Sequence, residues 1–176
     1  SDIVPVGRDQ KQHVEVTRDL AEKMNRMFGD VFTVPAPSIR DEVAVVVGLD
    51  GRKMSKSYGN ALEISESPES IQKKVSRMLT DTQRPRREDP GHPENCPVFT
   101  YHQLFTEPQT VSEIETECRT AVLSCFDDKK ALAEKIIAWG EPIRKRRAEL
   151  EKDPQYLDSL IQKGNEKARE VAAKTM

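Results

Sequence analysis

The apolar residues of this chain follow one kind of pattern up to about residue 65 and a different kind beyond it. Before that point, short and largely β-branched runs alternate with a single helical segment. Beyond it, apolar residues recur every three and four positions behind residues that start helices. The first part therefore predicts strands of a parallel sheet with a covering helix, and the second part predicts a helical bundle.

Three apolar runs and one helical segment make up the first part. The run at residues 3–6 leads into a glycine, and a helical period follows over 9–28. The run at 31–34 is closed by a Pro-Ala-Pro sequence, and the run at 43–47 is typical of a strand buried on both faces of a sheet. Such alternation indicates the α/β class, in which ligands bind beyond the carboxyl ends of the strands.

Several helix starts are visible in the second part. Ser67-Pro68-Glu69 predicts a capped helix, and Thr110 with Glu113 has the spacing of a capping box. A long helical segment up to residue 150 contains a glycine and a proline that should kink it. Residues 84–97 hold four prolines and one glycine, which favours an exposed loop. We place the boundary between the two parts near residue 65.

Charge and cysteine content exclude several classes of protein. A net charge of −2 and a pI near 6.0 do not fit a general polyanion binder, so any nucleic-acid contact comes from local patches. The three cysteines form no Cys-x-x-Cys pair and no zinc spacing with the histidines, so we expect reduced thiols and no metal. The chain has no apolar run long enough for a membrane span and no signal peptide, which predicts a cytoplasmic protein. Since it opens without Met inside an apolar run, we expect a piece of a longer polypeptide.

Lys53-Met54-Ser55-Lys56-Ser57 lie in a loop that has glycines on both sides. Flanking glycines suit a loop that closes. Two ammonium groups with neighbouring hydroxyls offer charges and donors to a polyphosphate whose negative charge grows as its bond breaks. From composition alone, the loop could equally be an ordinary solvated turn.

The start of the first helix is a second candidate site. Gly7 lets the backbone approach a ligand, and the free amide groups of a helix that starts near Asp9 point to the same place. Asp9 could equally be a plain N-cap residue. We interpret His13 as a polar helix residue held by a neighbour. The basic runs 84–87 and 144–147 are solvated surface by default.

The order Lys-Met-Ser-Lys-Ser resembles the second signature motif of the class I aminoacyl-tRNA synthetases. The segment from Val4 to His13, with Glu15, Arg18-Asp19 and Ala21 behind it, resembles tryptophanyl-tRNA synthetases of the bacterial type. Tyrosine enzymes share the Gly-x-Asp-Gln core but are less similar in the helix. The resemblance covers essentially the whole chain but only about the second half of the expected enzyme, whose first motif, His-x-Gly-His, the chain lacks.

The resemblance implies roles for the helix start. Gly7, Arg8 and Asp9 would border the ribose and adenine of ATP. Gln10 would lie near the ammonium and carboxylate of the amino acid. The backbone near Val45 would contact the adenine.

For the loop, the resemblance implies contacts with the phosphates of ATP. Lys53 and Lys56 would act on the charge of the leaving pyrophosphate, with Mg²⁺ sharing that charge. Ser55 and Ser57 would hold the loop and the phosphates, and Met54 would lie with them at the nucleotide.

The activity that the resemblance implies is the ligation of tryptophan to tRNA(Trp) through an adenylate. Residues 1–65 would be the C-terminal part of a Rossmann-like catalytic domain, and residues 66–176 a helical domain that binds the anticodon arm. There, the phosphates would be neutralised by Lys and Arg. The family is typically homodimeric. A non-catalytic tRNA-binding or regulatory fragment and a tyrosine-specific relative remain as alternatives.

Overall fold

The computed structural model describes residues 2–40 and 45–175. The chain forms two compact units, of which the first combines Ser1–Val45 with Lys145–Met176 and the second is Val46–Arg144. These units divide the chain elsewhere than at residue 65, because apolar side chains between residues 46 and 62 pack on the helical core of the second unit. The two domains expected from the sequence stay a prediction.

The first unit begins with a strand–helix–strand arrangement. Strand β1, Ile3–Pro5, pairs in parallel with strand β2, Ala36–Ser38, and helix α1, Lys11–Phe28, connects them. This parallel pair and its helix agree with the α/β pattern predicted for the start of the chain. Helix α6, Pro154–Thr175, belongs to the same unit.

The strand predicted at residues 31–34 is wrong, because a side chain occupies its backbone groups. The Asn25 Oδ1 atom accepts hydrogen bonds from the N–H groups of Val31 and Phe32, at 3.0 and 2.8 Å. Its Nδ2 atom donates to the Phe32 carbonyl at 2.7 Å. Backbone groups that bind an asparagine side chain in this way are not available for a strand ladder.

Strand pairing starts instead inside the Pro-Ala-Pro sequence that was expected to end it. The N–H of Ala36 donates to the carbonyl of Asp2 at 2.9 Å. Pro37 has no N–H, but among the described residues β2 pairs with β1 alone, and an edge strand tolerates proline.

The strand predicted at residues 43–47 is also wrong for the part that the structure describes; the first two of these residues lie outside it. The carbonyl of Val46 accepts from the N–H of Met54 at 3.0 Å, and the carbonyl of Val47 accepts from the Tyr101 hydroxyl at 2.7 Å. An isolated antiparallel bridge to the loop replaces a parallel ladder here.

The second unit is mainly helical, which agrees with the helical periodicity beyond residue 65. Its helices are α2, Pro68–Ser76, α3, Pro97–Phe105, α4, Pro108–Arg119, and most of α5, Cys125–Leu150. Among the described residues, no strand follows the loop. The core is apolar and is built from Ile71, Val75, Met78, Val98, Tyr101, Leu132 and Ile136.

Two of the predicted helix starts have different outcomes. The Ser67 cap is confirmed, since its Oγ atom accepts a hydrogen bond from the Ser70 N–H at 3.2 Å. The capping box at Thr110 is wrong, because α4 already begins at Pro108 and Glu107 occupies the N-cap position. Proline is well suited to the first position of a helix, and it starts this one earlier than the capping-box spacing suggests.

Candidate nucleotide-binding loop and helix start

The first half of the Lys-Met-Ser-Lys-Ser motif is fixed from two sides. On one side, the Met54 N–H bonds to the Val46 carbonyl, as described above. On the other side lies the carboxamide of Asn60. Its Oδ1 atom accepts from the Ser55 N–H at 2.8 Å, and its Nδ2 atom donates to the Lys53 carbonyl at 3.1 Å. The backbone on both sides of Met54 therefore has a defined position.

The second half of the motif is a short turn at the surface. Lys56–Tyr58 form a single 3₁₀ turn, which ends at Gly59 with a positive φ of 64°. The hydroxyls of Ser55 and Ser57 lie 2.8 Å apart and share a hydrogen bond. Both motif lysines are exposed residues.

An acidic residue neutralises one cation of the loop. The Asp50 carboxylate accepts from the Arg52 Nε and Nη2 atoms at 2.8 and 2.6 Å. The same guanidinium lies 4.8 Å from the centre of the Tyr58 ring. Hydrogen bonds from Asn60, and then from Arg52, lower the pKa of Asp50 to about 2. Because this folded-state pKa is depressed, the ionised carboxylate stabilises the loop above about pH 4, and that contribution is lost as the pH falls toward 2.

At the helix start, Asp9 is not the N-cap residue. The 3₁₀ turn Arg8–Gln10 precedes α1, and Gly7 lies at its N-cap position with extended backbone, φ −71°. The Asp9 carboxylate instead accepts from the Gln10 Nε2 atom at 3.1 Å. Since other residues also adopt this conformation at position 7, the backbone angle alone does not require glycine there.

A groove of about 690 Å³ lies beside this helix start, within the first unit. Gln10, at the N-cap position of α1, and His13, in its first turn, are three positions apart, and both line the same groove. Its remaining lining is mostly apolar and comprises Val4, Val6, Val14, Thr17, Leu20, Ala21, Met24, Phe32, Thr33 and Pro35. Apolar walls with a few polar groups are typical of small-molecule sites. His13 was expected to be an ordinary polar helix residue, although its spacing of three from Gln10 was a usable signal that both line one groove.

The predicted nucleotide-binding residues belong to both compact units. The helix-start residues lie in the first unit, and Val45, which is 51% exposed, is the last residue of that unit's first segment. The motif loop lies in the second unit. The helix-start residues and the motif loop are therefore each held in place by the residues of their own unit.

Much of the basic runs is bound by the chain itself. Arg84 donates to the carbonyls of Leu123 and Arg87, at 3.1 and 2.6 Å. Arg146 forms an exposed ion pair with Glu149 of α5, and Arg147 forms one with Glu151, which directly follows α5. The exposed pairs of Arg146 and Arg147 agree with the default interpretation of ordinary surface. Arg84 does not, because it is half-buried and binds the carbonyl of Leu123.

Within residues 2–40 and 45–175, no helix has the length and the apolar character that crossing a membrane would require. The same part of the chain holds no group of three His, Cys, Asp or Glu side chains arranged for a metal ion.

A family model described as "tRNA synthetases class I (W and Y)" matches residues 1–139. The chain belongs to this family, so the class of protein that the parallel strands and the motif loop define is a class I tRNA synthetase with a Rossmann-like fold. The particular proteins it resembles are tryptophan enzymes. The tryptophan–tRNA ligases of Aquifex aeolicus and Thermotoga maritima are each 45% identical to it over 174 residues, 98% of this chain and 44% and 53% of theirs.

A solved structure shows the same likeness. It is the tryptophanyl-tRNA synthetase of Campylobacter jejuni complexed with ADP and tryptophan, which matches with a TM-score of 0.80 and 38% identity. The match covers 100% of this chain and 55% of that one. The chain thus spans about half the length of the relatives that it matches.

Proposed function

We propose that this chain is the C-terminal half of a tryptophan–tRNA ligase. The observation that carries the proposal is the Lys-Met-Ser-Lys-Ser loop. It presents two exposed lysines on a glycine-flanked loop that Asn60 holds in place, in a chain whose relatives are named tryptophan–tRNA ligases. The complete protein joins tryptophan to ATP to form the adenylate and pyrophosphate, and then transfers the tryptophanyl group to the 3′ end of tRNA(Trp). This activity belongs to the cytoplasm, where charged tRNA is used.

In the first step, the tryptophan carboxylate attacks the α-phosphate of ATP, so no nucleophile from the protein is needed. Catalysis is therefore positioning together with stabilisation of the charge on the leaving pyrophosphate. Lys53 and Lys56 supply that stabilisation, Ser55 and Ser57 hold the loop and the phosphates, and Met54 borders the nucleotide. Mg²⁺ enters with ATP, whose phosphate oxygens are among its preferred ligands.

The helix start binds the rest of the two substrates. Gly7, Arg8 and Asp9 border the ribose and adenine, and the backbone at Val45 contacts the adenine. Gln10 binds the ammonium and carboxylate of tryptophan. The groove beside Gln10 supports this assignment, because its apolar walls suit an indole ring while the carboxamide suits the polar end of the amino acid.

The remaining partners follow from the same proposal. Residues 1–65 complete a Rossmann-like catalytic domain, and the helical region 66–176 contacts the anticodon arm of tRNA(Trp). The active protein is a homodimer.

The test is ATP–pyrophosphate exchange by the complete protein, with tryptophan and tyrosine compared at equal concentration. We expect tryptophan to support exchange at least about a hundredfold faster. A site that hydrogen-bonds the indole N–H of tryptophan strongly rejects tyrosine, whose side chain lacks that group. Preference for tyrosine, or exchange that needs neither amino acid, would contradict the proposal.

A further inference from the structure

Asn60 is the most buried polar residue of the motif loop, with 4% of its surface exposed. A carboxamide carries two donor hydrogens and an acceptor oxygen. Its Nδ2 atom donates to the Asp50 Oδ1 atom at 2.7 Å and to the Lys53 carbonyl at 3.1 Å, and its Oδ1 atom accepts from the Ser55 N–H at 2.8 Å. Both ends of this one side chain are therefore bound to the loop.

The space for this carboxamide depends on a glycine. A Cβ atom at residue 48 would collide with the Nδ2 and Cγ atoms of Asn60. In addition, the Leu49 N–H donates to the Asn60 carbonyl at 2.9 Å, which ties the entry of the loop to its exit. Gly48 and Asn60 thus fit each other closely at the base of the loop.

The bonds of Asn60 reach the motif at the two residues that flank Met54. Lys53 is one of the two motif lysines, and Ser55 directly precedes the other, Lys56. Because the carboxamide holds the Lys53 carbonyl and the Ser55 amide, it sets the direction in which both lysine side chains leave the backbone.

We propose that Asn60 is a positioning residue for adenylate formation, an inference that rests on the function proposed above. It does not touch ATP. Its carboxamide aligns the backbone of residues 53–55, so that the ammonium groups of Lys53 and Lys56 meet the pyrophosphate as its charge accumulates.

The test compares variants of the complete protein by single-turnover adenylate formation, with the rate expressed per titrated active site. Asn60→Ala is expected to lower this rate about tenfold to a hundredfold, since misplacing a catalytic group by about 1 Å has an effect of that size. The dissociation constant of tryptophan should change less than about twofold, because the loss falls on the transition state. Titration of active sites counts competent molecules alone, so lower stability by itself does not change the result.

Exchanging the amide of Asn60 with the carboxylate of Asp50 provides a sharper test. Asn60→Asp keeps the acceptor for the Ser55 N–H but places a second carboxylate against Asp50, so we expect a loss at least as large as that of Asn60→Ala. Adding Asp50→Asn restores an amide donor opposite the new carboxylate and removes the repulsion. The double variant should therefore be faster than Asn60→Asp alone, which is a positive coupling of neighbouring sites.

Ser67→Ala is the matched control, because the Ser67 hydroxyl caps α2 by accepting from the Ser70 N–H, outside the motif. It should lower the melting temperature and leave the rate unchanged. The inference is overturned if Asn60→Ala keeps the wild-type rate per active site, or if the double variant is no faster than Asn60→Asp. No adenylate formation by the unsubstituted protein would instead contradict the proposed function itself.

Discussion

Replacing Lys56 by alanine in the complete protein is expected to lower the rate of adenylate formation about a hundredfold, with tryptophan binding nearly unchanged. Lys56 lies on the exposed turn of the motif. In the proposed mechanism, its ammonium meets the pyrophosphate mainly as negative charge develops. A group that acts at that stage stabilises the transition state and not the ground state, so its loss appears in the rate constant. Single-turnover kinetics with both substrates saturating measures that constant directly.

Two further variants give this prediction its controls. Lys56→Arg should restore the rate partially, since a planar guanidinium does not replace a compact ammonium on a short turn. Lys163→Ala removes an exposed lysine of α6 and should change the rate less than about twofold, as is usual for surface substitutions. An unchanged rate in Lys56→Ala, together with weaker tryptophan binding, would show that Lys56 has a different role.

The 176-residue chain alone is expected to give no tryptophan-dependent ATP–pyrophosphate exchange above background. It spans about half the length of its relatives and lacks the His-x-Gly-His motif of the resembled family. Binding and catalysis by such an enzyme need groups from several parts of the fold held together in one geometry, and the loop by itself cannot supply that geometry.

This second prediction is checked by assaying the chain beside the complete protein under identical conditions. Far-ultraviolet circular dichroism should show that the isolated chain retains its helices, so that inactivity does not merely report unfolding. Exchange by the folded chain above background would show that the remainder of the enzyme is not required.

Local signals in the sequence predicted the start of α2 correctly and the start of α4 incorrectly. Ser67 and Pro68 start α2 where a capped helix was expected, since capping and the fixed φ of proline act between near neighbours. The strands were predicted less well. The run 31–34 has the composition of a strand, but Asn25 on α1 binds its backbone, and no local pattern shows that contact.

The candidate site, too, was predicted only in part from the sequence. The order Lys-Met-Ser-Lys-Ser identified the loop, and Gln10 marked the helix start. The structure added Asn60, to which no sequence pattern assigned a role. Its importance depends on the fit against Gly48 and on bonds to Lys53 and Ser55, which become visible once the loop is folded.

The most direct test of the central claim is the charging of tRNA by the complete protein. Purified protein is incubated with labelled tryptophan, ATP, Mg²⁺ and tRNA, and acid-precipitable label is measured over time. We expect tRNA(Trp) to become charged with tryptophan and omission of ATP to abolish the label. A protein that binds tRNA(Trp) but never charges it would be a non-catalytic binding module, and that result would contradict the proposed ligase activity.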